Sequence, residues 1–404
     1  MPIRNDARSR ASVPESAAAI SRLGYRPELD GVRGIAIILV MLVHVNNWPR
    51  GGFIGVDVFF TLSGFLITTL LLEEWRARGT VSLRDFYARR ALRLFPAVIV
   101  LLAAYSVFAL VAGGPFLSTR LAGVGYGLTY VSNWPQAFGL TFPEQELGFL
   151  WTLAIEEQYY LLWPSLLLLA LHVGRLSPRR LIVAIFCVVV AVWIWRIVLV
   201  DAGVEGRRIY FGTDTRLDQL LLGAALAAWF VRRSTSVAGS LALRLGGWAG
   251  VAFLTWRLFD PVYFRGWYPT VGLAAIGMAS AAIIACVVTN SSSVLGWVLN
   301  WRWLRWVGAL SYSLYLWHVP AIRVVENSPL GQWTIPRILG GIALSFVLAA
   351  ASYRYVEQPF LRRRKRYEQL RATKADAEAT AYQLRRHFVL PWLRSPVLKA
   401  QKPR

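Results

Sequence analysis

The segment that decides the fold is IAIILVMLVH, residues 35–44, because an uninterrupted apolar run of this kind belongs inside a membrane. A second apolar segment, GGFIGVDVFF (51–60), follows after a short turn and carries one carboxylate, Asp57. Ionisable side chains are costly within a bilayer, so His44 is a candidate functional residue. A histidine with a nearby aspartate also suits proton transfer. The alternative is that His44 is a polar cap at a helix end.

The composition of the 404-residue chain also indicates a membrane protein. Hydrophobic residues make up 56% of the sequence and the mean hydropathy is +0.46, which is typical of a polytopic membrane protein. The net charge of +22 would suggest nucleic acid as the partner of a soluble chain. Here the basic residues lie in short loops between apolar segments, so membrane lipid is the predicted partner and nucleic acid is not. Cys187 and Cys286 both fall in apolar segments, so no disulfide is predicted.

We predict an all-α fold, a polytopic transmembrane helix bundle with about ten spans and both termini cytoplasmic. Lys and Arg concentrate on the side that holds the termini, as the positive-inside rule expects. Residues 1–24 are predicted to be a disordered basic leader, 25–360 the transmembrane domain, and 361–404 a basic cytoplasmic tail that lies on anionic headgroups. The predicted spans lie near residues 32–48, 53–72, 95–113, 149–171, 181–200, 216–231, 245–260, 268–289, 305–322 and 336–355.

The first predicted hairpin places three ionisable residues at defined depths. Arg33 and His44 are eleven residues apart, so they share one helix face about 16 Å apart along the axis. Folding the chain at residues 50–51 brings Asp57 to the depth of His44, where a carboxylate could orient the imidazole. Alternatively, Asp57 caps backbone groups of the turn.

Further polar groups lie at predicted span ends on the outer side. In WTLAIEEQYY (151–160), Glu156 and Glu157 point about 100° apart on a helix, so one of them at most faces the interior. In TDTRLD (213–218), Asp214, Arg216 and Asp218 either form a local ion pair or hydrogen-bond an acceptor substrate. The segment SYSLYLWH (311–318) is rich in hydroxyls and ends in a histidine. It adds two candidate substrate-binding residues, Tyr315 and His318.

The first predicted cytoplasmic loop, FYARRALRLFP (86–96), is strongly cationic. Arg90 and Arg93 are three residues apart and share a helix face, with Arg89 beside them. Each guanidinium offers a bidentate fork to phosphate, so the group suits a phosphate-rich ligand. Anchoring by the positive-inside rule is the alternative.

Together these segments resemble the acyltransferase 3 family of integral membrane O-acyltransferases over about residues 25–364. The ordered motifs that carry the resemblance are LDGVRG (29–34) with His44 after it, GVDVFF (55–60) with SGFLI (63–67), FYARRALR (86–93), WTLAIEEQ (151–158), TRLD (215–218), SYSLYLWH (311–318) and VEQP (356–359). Some family members carry an additional extracytoplasmic hydrolase-like domain. We expect this chain to be the stand-alone form.

The resemblance implies transfer of an acyl group, usually acetyl, from cytoplasmic acyl-CoA to a hydroxyl. The implied acceptor is a cell-envelope glycan, a glycolipid or another small molecule such as a secondary metabolite. Arg33 and His44 match the family's Arg and His pair, and Arg90 and Arg93 match its paired arginines, which are linked to donor use. We therefore expect acetyl-CoA as donor, no metal, and catalytic roles for His44, Asp57, Arg33 and Glu156.

Two alternative functions, from other classes of protein, remain. A proton-coupled transporter of a polar metabolite would use His44 and Asp57 as a proton relay, but the sequence has no evident internal repeat. A non-catalytic scaffold would not need so many polar residues inside its spans. Whether it is an enzyme or a transporter, the protein is predicted to be a multi-pass protein of the inner or plasma membrane. Nothing in the sequence indicates its oligomeric state.

Overall fold

The computed structural model confirms the all-α prediction. It describes five stretches of the chain, and within them the regular secondary structure is helical, without strands. The first 22 residues and the predicted tail from residue 364 onward lie outside the described part. The described stretches are residues 23–140, 146–232, 240–259, 266–289 and 293–363.

Fifteen α-helices occur in the described stretches. The first eight are α1 Pro27–Asn46, α2 Ile54–Arg78, α3 Leu83–Ala112, α4 Leu117–Leu128, α5 Asn133–Ala137, α6 Trp151–His172, α7 Pro178–Asp201 and α8 Gly206–Phe211. The others are α9 Thr213–Arg232, α10 Leu241–Phe259, α11 Leu273–Thr289, α12 Val294–Leu299, α13 Arg302–Ala309, α14 Ser311–Glu326 and α15 Thr334–Ala351.

Helices lie at all ten predicted span positions, although the ninth differs in form. Residues 305–322 are divided between α13 and α14, with Leu310 between them. Within the described residues, five helical segments are long and apolar enough to cross a bilayer, so the number of spans and the side of each terminus stay predictions. The five segments are Arg50–Arg78, Leu83–Ala112, Pro178–Asp201, Tyr268–Thr289 and Thr334–Arg363.

Helices α2 and α9 cross with their backbones in close contact. A side chain at Gly64 would place its Cβ 1.8 Å from the carbonyl oxygen of Leu220. In the same way, a Cβ at Gly223 would lie 2.0 Å from the carbonyl oxygen of Thr61. Glycine is therefore required on both helices, and the close approach brings the polar side chains of α2 and α9 into contact.

Helices α1 and α14 run parallel through the bundle. Arg33 of α1 contacts Ser311 at the start of α14, and His44 near the end of α1 contacts His318 further along α14. Both contacts advance in the same chain direction, which fixes the relative orientation of the helices. The predicted Arg and His pair of α1 therefore faces the hydroxyl-rich segment of α14 over several turns.

Candidate active site

A cavity of about 610 Å³ opens between α1, α2, α3, α6 and α14. Its volume lies within the range of small-molecule sites. One part of its wall is apolar, from α2 and α6, and the rest carries arginines, carboxylates and hydroxyls. The polar lining consists of Arg33, Ser63, Glu73, Glu74, Arg78, Arg89, Arg90, Arg93, Thr152, Glu156, Tyr160, Ser311, Tyr312 and Tyr315.

The cationic segment predicted at residues 86–96 lies on this cavity. Arg89, Arg90 and Arg93 all project into it from the first three turns of α3. Arg89 lies 3.4 Å from a carboxylate oxygen of Glu74, and the guanidinium of Arg90 lies 3.8 Å from the centroid of the Tyr160 ring. The structure therefore brings together the three arginines that the sequence grouped.

Glu156 and Arg33 also belong to the cavity wall. The Ser63 hydroxyl donates a hydrogen bond of 2.6 Å to Glu156 Oε1. The Nε of Arg33 donates to the Ser311 hydroxyl at 3.1 Å. Both charged side chains, predicted as catalytic residues, therefore face the same cavity. Of the two adjacent glutamates, it is Glu156 and not Glu157 that belongs to the lining.

His44 and His318 form a pair beyond the cavity. Their ring centroids are 4.9 Å apart, with the rings edge to face. The Nδ1 of His44 lies 2.7 Å from the Val40 carbonyl oxygen, which can only accept, so Nδ1 carries a proton and the Nε2 of the neutral ring is a free acceptor position. The sequence did not predict that these two histidines, 274 positions apart, would meet.

Tyr315 lies between the cavity and the histidine pair. Its side chain belongs to the cavity wall, and its ring centroid is 5.6 Å from that of His318. The Tyr315 hydroxyl receives a hydrogen bond from Thr152 and donates one to the Phe149 carbonyl. The inner end of the cavity is therefore one aromatic ring away from His318.

Asp57 does not lie against His44, so the structure contradicts the predicted pairing of these two residues. The Oδ1 of Asp57 accepts from Arg216 at 2.6 Å and from the side-chain amide of Gln219 at 2.7 Å. Asp57 and Arg216 are both fully buried. The backbone-cap alternative is not found either, because the hydrogen bonds of this carboxylate come from side chains of α9.

The predicted local ion pair within residues 213–218 is also wrong. Asp214 receives two hydrogen bonds from Arg208, at 2.9 and 2.8 Å, and one from Trp195. Asp218 forms a buried ion pair of 2.8 Å with Arg196. Arg216 points the other way, toward Asp57, because residues two apart on a helix lie on nearly opposite faces. The carboxylates of Asp214 and Asp218 are therefore ion-paired with arginines from outside this segment.

Sequence reasoning did not single out two members of this buried network. Gln219 lies one turn after Arg216 on the same face of α9, and that spacing is the signal that could have found it. Arg196 is an arginine within an apolar span, which by itself marks a partnered residue. The described residues contain no cluster of His, Cys, Asp or Glu that could hold a metal ion.

Comparison with known proteins places the chain in the acyltransferase family that its motifs resemble. The family model described as an acyltransferase domain matches residues 26–354, so the chain belongs to the acyltransferase 3 family. With five apolar helices long enough to cross a bilayer, the chain is a multi-pass membrane protein.

Relatives from three bacteria each align with 83% of this chain. The peptidoglycan O-acetyltransferase OatA of Listeria monocytogenes is 34% identical over 357 residues, and the O-acetyltransferase OatA of Staphylococcus aureus is 37% identical over 347 residues. YrhL of Bacillus subtilis is 36% identical over 358 residues. The aligned part makes up 55%, 56% and 57% of the YrhL, Listeria and Staphylococcus proteins, so this chain spans little more than half of their length. No solved structure matches the chain.

Proposed function

We propose that this protein is a membrane O-acyltransferase that moves an acetyl group from cytoplasmic acetyl-CoA to a hydroxyl of a cell-envelope glycan. The observation that carries the proposal is the cavity whose wall holds Arg89, Arg90 and Arg93 and also Tyr315, which packs against one of two contacting histidines. Membership of the acyltransferase 3 family and the names of the O-acetyltransferase relatives support the same reaction. A glycolipid or a secondary metabolite is the other class of acceptor.

The donor would enter at the arginine-rich part of the cavity. Arg90 and Arg93, with Arg89 beside them, would hold the phosphates of acyl-CoA through charge-assisted hydrogen bonds. The end of the cavity that holds these arginines would then lie at the cytoplasmic face, as the positive-inside rule expects. Both termini would then be cytoplasmic and the protein would lie in the inner or plasma membrane.

The reactive end of the donor would extend past Arg33 and Glu156 toward the histidines. Arg33 is anchored by Ser311 and Glu156 by Ser63, so both side chains are held in place on the cavity wall. A fixed guanidinium can stabilise negative charge that develops on the thioester oxygen. Glu156 would position the donor or take part in proton transfer, as its place on the same cavity wall allows.

His44 would perform the transfer with its Nε2. The ring either removes the proton of the acceptor hydroxyl as a general base or carries the acyl group itself. The Nδ1 contact with the Val40 carbonyl supports both roles, because it keeps the Nε2 lone pair available. Asp57 has no part in this proposal, since its carboxylate is bound by Arg216 and Gln219. The transporter alternative assumed a proton relay between His44 and Asp57. The hydrogen bonds of Asp57 with α9 argue against that relay.

The acceptor would approach from the opposite side of the membrane. Asp214, Asp218 and Arg216 are engaged in ion pairs, so we propose that they shape this side of the bundle and do not bind acceptor hydroxyls directly. His318 contacts His44 and Tyr315 contacts His318, so these two residues are the better candidates for contact with substrate.

Transfer in proteoliposomes tests the proposed function. The purified protein would receive radiolabelled acetyl-CoA, with an envelope glycan extract as acceptor and empty liposomes as control. Label that moves to the extract only in the presence of protein supports the proposal. Protein that exports a polar metabolite from vesicles, without consuming acetyl-CoA, would overturn it in favour of the transporter.

A further inference from the structure

His318 has the surroundings of a reactive group. It is fully buried in α14, and its Nδ1 lies 2.7 Å from the Tyr315 carbonyl and 3.2 Å from the Leu314 carbonyl. Those oxygens only accept, so Nδ1 carries the proton and Nε2 has the lone pair. That Nε2 atom is buried and has no hydrogen-bond partner. Buried polar atoms are seldom left unsatisfied without a functional reason.

His318 lies nearer to the donor cavity than His44 does. His318 packs against Tyr315, which lines the cavity. The ring contacts of His44 are with His318 and Phe53, and neither of these residues is part of the cavity lining. His318 is therefore the histidine next to the cavity wall.

The contacts around His318 form a continuous line from the cavity to His44. Tyr315 lines the cavity and packs against His318 with ring centroids 5.6 Å apart. His318 in turn contacts His44 at 4.9 Å, and His44 contacts Phe53 of the turn between α1 and α2 at 5.4 Å. Along this line of contacts, His318 comes before His44.

We infer that His318 is the first acceptor of the acyl group and that His44 is the second. This inference rests on the proposed acyltransferase function. The Nε2 of His318 attacks the thioester carbon, the carbon–sulfur bond breaks, and the thiolate leaves into the cavity, where it takes up a proton from the cytoplasm. The acyl carbon then forms a bond to Nε2 of His44, and the bond to His318 breaks.

The last step returns both histidines to their starting state. The acceptor oxygen attacks the acyl group on His44, the carbon–nitrogen bond breaks, and the freed Nε2 takes the hydroxyl proton and releases it on the acceptor side. Each ring keeps its Nδ1 proton throughout, which the backbone carbonyls of Val40 and Tyr315 hold in place. The sum is one thioester and one alcohol converted to one ester and one thiol.

The order of the two histidines can be tested without an acceptor. Purified protein is mixed with acetyl-CoA labelled in the acetyl group, thiol release is followed by stopped flow, and the labelled peptide is mapped by mass spectrometry. The wild type should release a burst of about one thiol per protein or more. His44→Ala should keep a burst of about one thiol, with the label on the peptide that contains His318.

His318→Asn should show no burst and no labelled peptide. Its amide can still donate to the Tyr315 carbonyl in place of Nδ1, so the fold is maintained while the nucleophile is lost. His172→Ala is the matched control, because His172 packs against Trp75 away from the cavity, and its burst should equal that of the wild type. Unchanged elution and melting temperature would show that each variant is folded.

Two results would overturn the order of transfer. One is a normal burst in His318→Asn, and the other is a burst that disappears in His44→Ala although the protein is folded. In both cases thiol release by the wild type would leave the proposed function standing. A wild type that releases no thiol would contradict the proposed function as well.

Discussion

The arginines that line the cavity, Arg33, Arg90 and Arg93, differ from Arg196 and Arg216 in their surroundings. The cavity arginines are partly exposed and face a space of about 610 Å³. The other two are fully buried, and each is ion-paired with an aspartate of another helix at 2.8 Å or less. An arginine inside a membrane protein can therefore belong to a ligand site or to a structural ion pair. Open space beside the guanidinium distinguishes the first case from the second.

The largest effect is expected on turnover, from substitution of His44. His44→Ala should lower turnover by about 10²–10⁴-fold, because it removes the group that transfers the proton or the acyl group. The measurement is acetyl transfer in proteoliposomes, with His172→Ala as a control that leaves the histidine count equal. Transfer at the wild-type rate by His44→Ala would show that this residue does not take part in the reaction.

The next largest effect is expected on stability, at Asp57. Asp57→Asn should reduce the free energy of unfolding by about 3–5 kcal/mol, because Arg216 keeps its charge in a fully buried position without a counter-ion. The melting temperature in detergent should fall accordingly. A double variant, Asp57→Leu with Arg216→Met, should recover much of the loss. If Asp57→Asn melts as the wild type does but turns over slowly, Asp57 belongs to the chemistry after all.

A smaller effect, on donor affinity alone, is expected at the cavity. Arg93→Gln should raise the KM for acetyl-CoA by about 10–100-fold, the equivalent of losing charge-assisted hydrogen bonds worth about 1.5–3 kcal/mol. Its melting temperature and kcat should change little. Arg84→Gln on the same helix is the control, because Arg84 is exposed and outside the cavity wall. An equal rise in KM for both variants would point to general surface charge and not to a site.

The smallest effect is expected at the helix crossing that supports the buried ion pair. Gly64→Ala should destabilise the protein by about 1–3 kcal/mol, because the new methyl group meets the backbone of Leu220 and α2 and α9 have to separate. Gly246→Ala in α10 is the matched control, since its Cβ would meet no atom within 4 Å. Thermal melting compares the two. Equal melting temperatures would show that α2 and α9 tolerate a wider spacing.

The sequence predicted the helical class and the grouping of the cavity residues because both depend on local pattern. Arg89, Arg90 and Arg93 are close in the chain, so helical spacing alone places them together. The same holds for Arg33 and His44, which share a face of α1. The positions of the apolar runs follow from the same periodicity. The helix ends do not, because α3 begins at Leu83, twelve residues before the predicted span, and residues 305–322 are divided between two helices.

The pairing of Asp57 could not be predicted from depth alone. The hairpin symmetry placed Asp57 at the level of His44, but depth does not say toward which neighbour a side chain points. Its partner, Arg216, lies 159 positions away and is brought close by the glycine crossing of α2 and α9. The contact of His44 with His318 likewise depends on which helices are neighbours, and one sequence does not contain that information.

Thermal melting with added CoA tests the contrast between the two groups of arginines most directly, because a ligand that binds the folded state raises its melting temperature. Wild type, Arg93→Gln and Asp57→Asn would be melted with and without CoA. We expect Arg93→Gln to begin at the wild-type melting temperature and lose most of the CoA-dependent rise. We expect Asp57→Asn to begin lower and keep the full rise. A normal rise in Arg93→Gln, or its loss in Asp57→Asn, would contradict the assignment of the donor to the cavity.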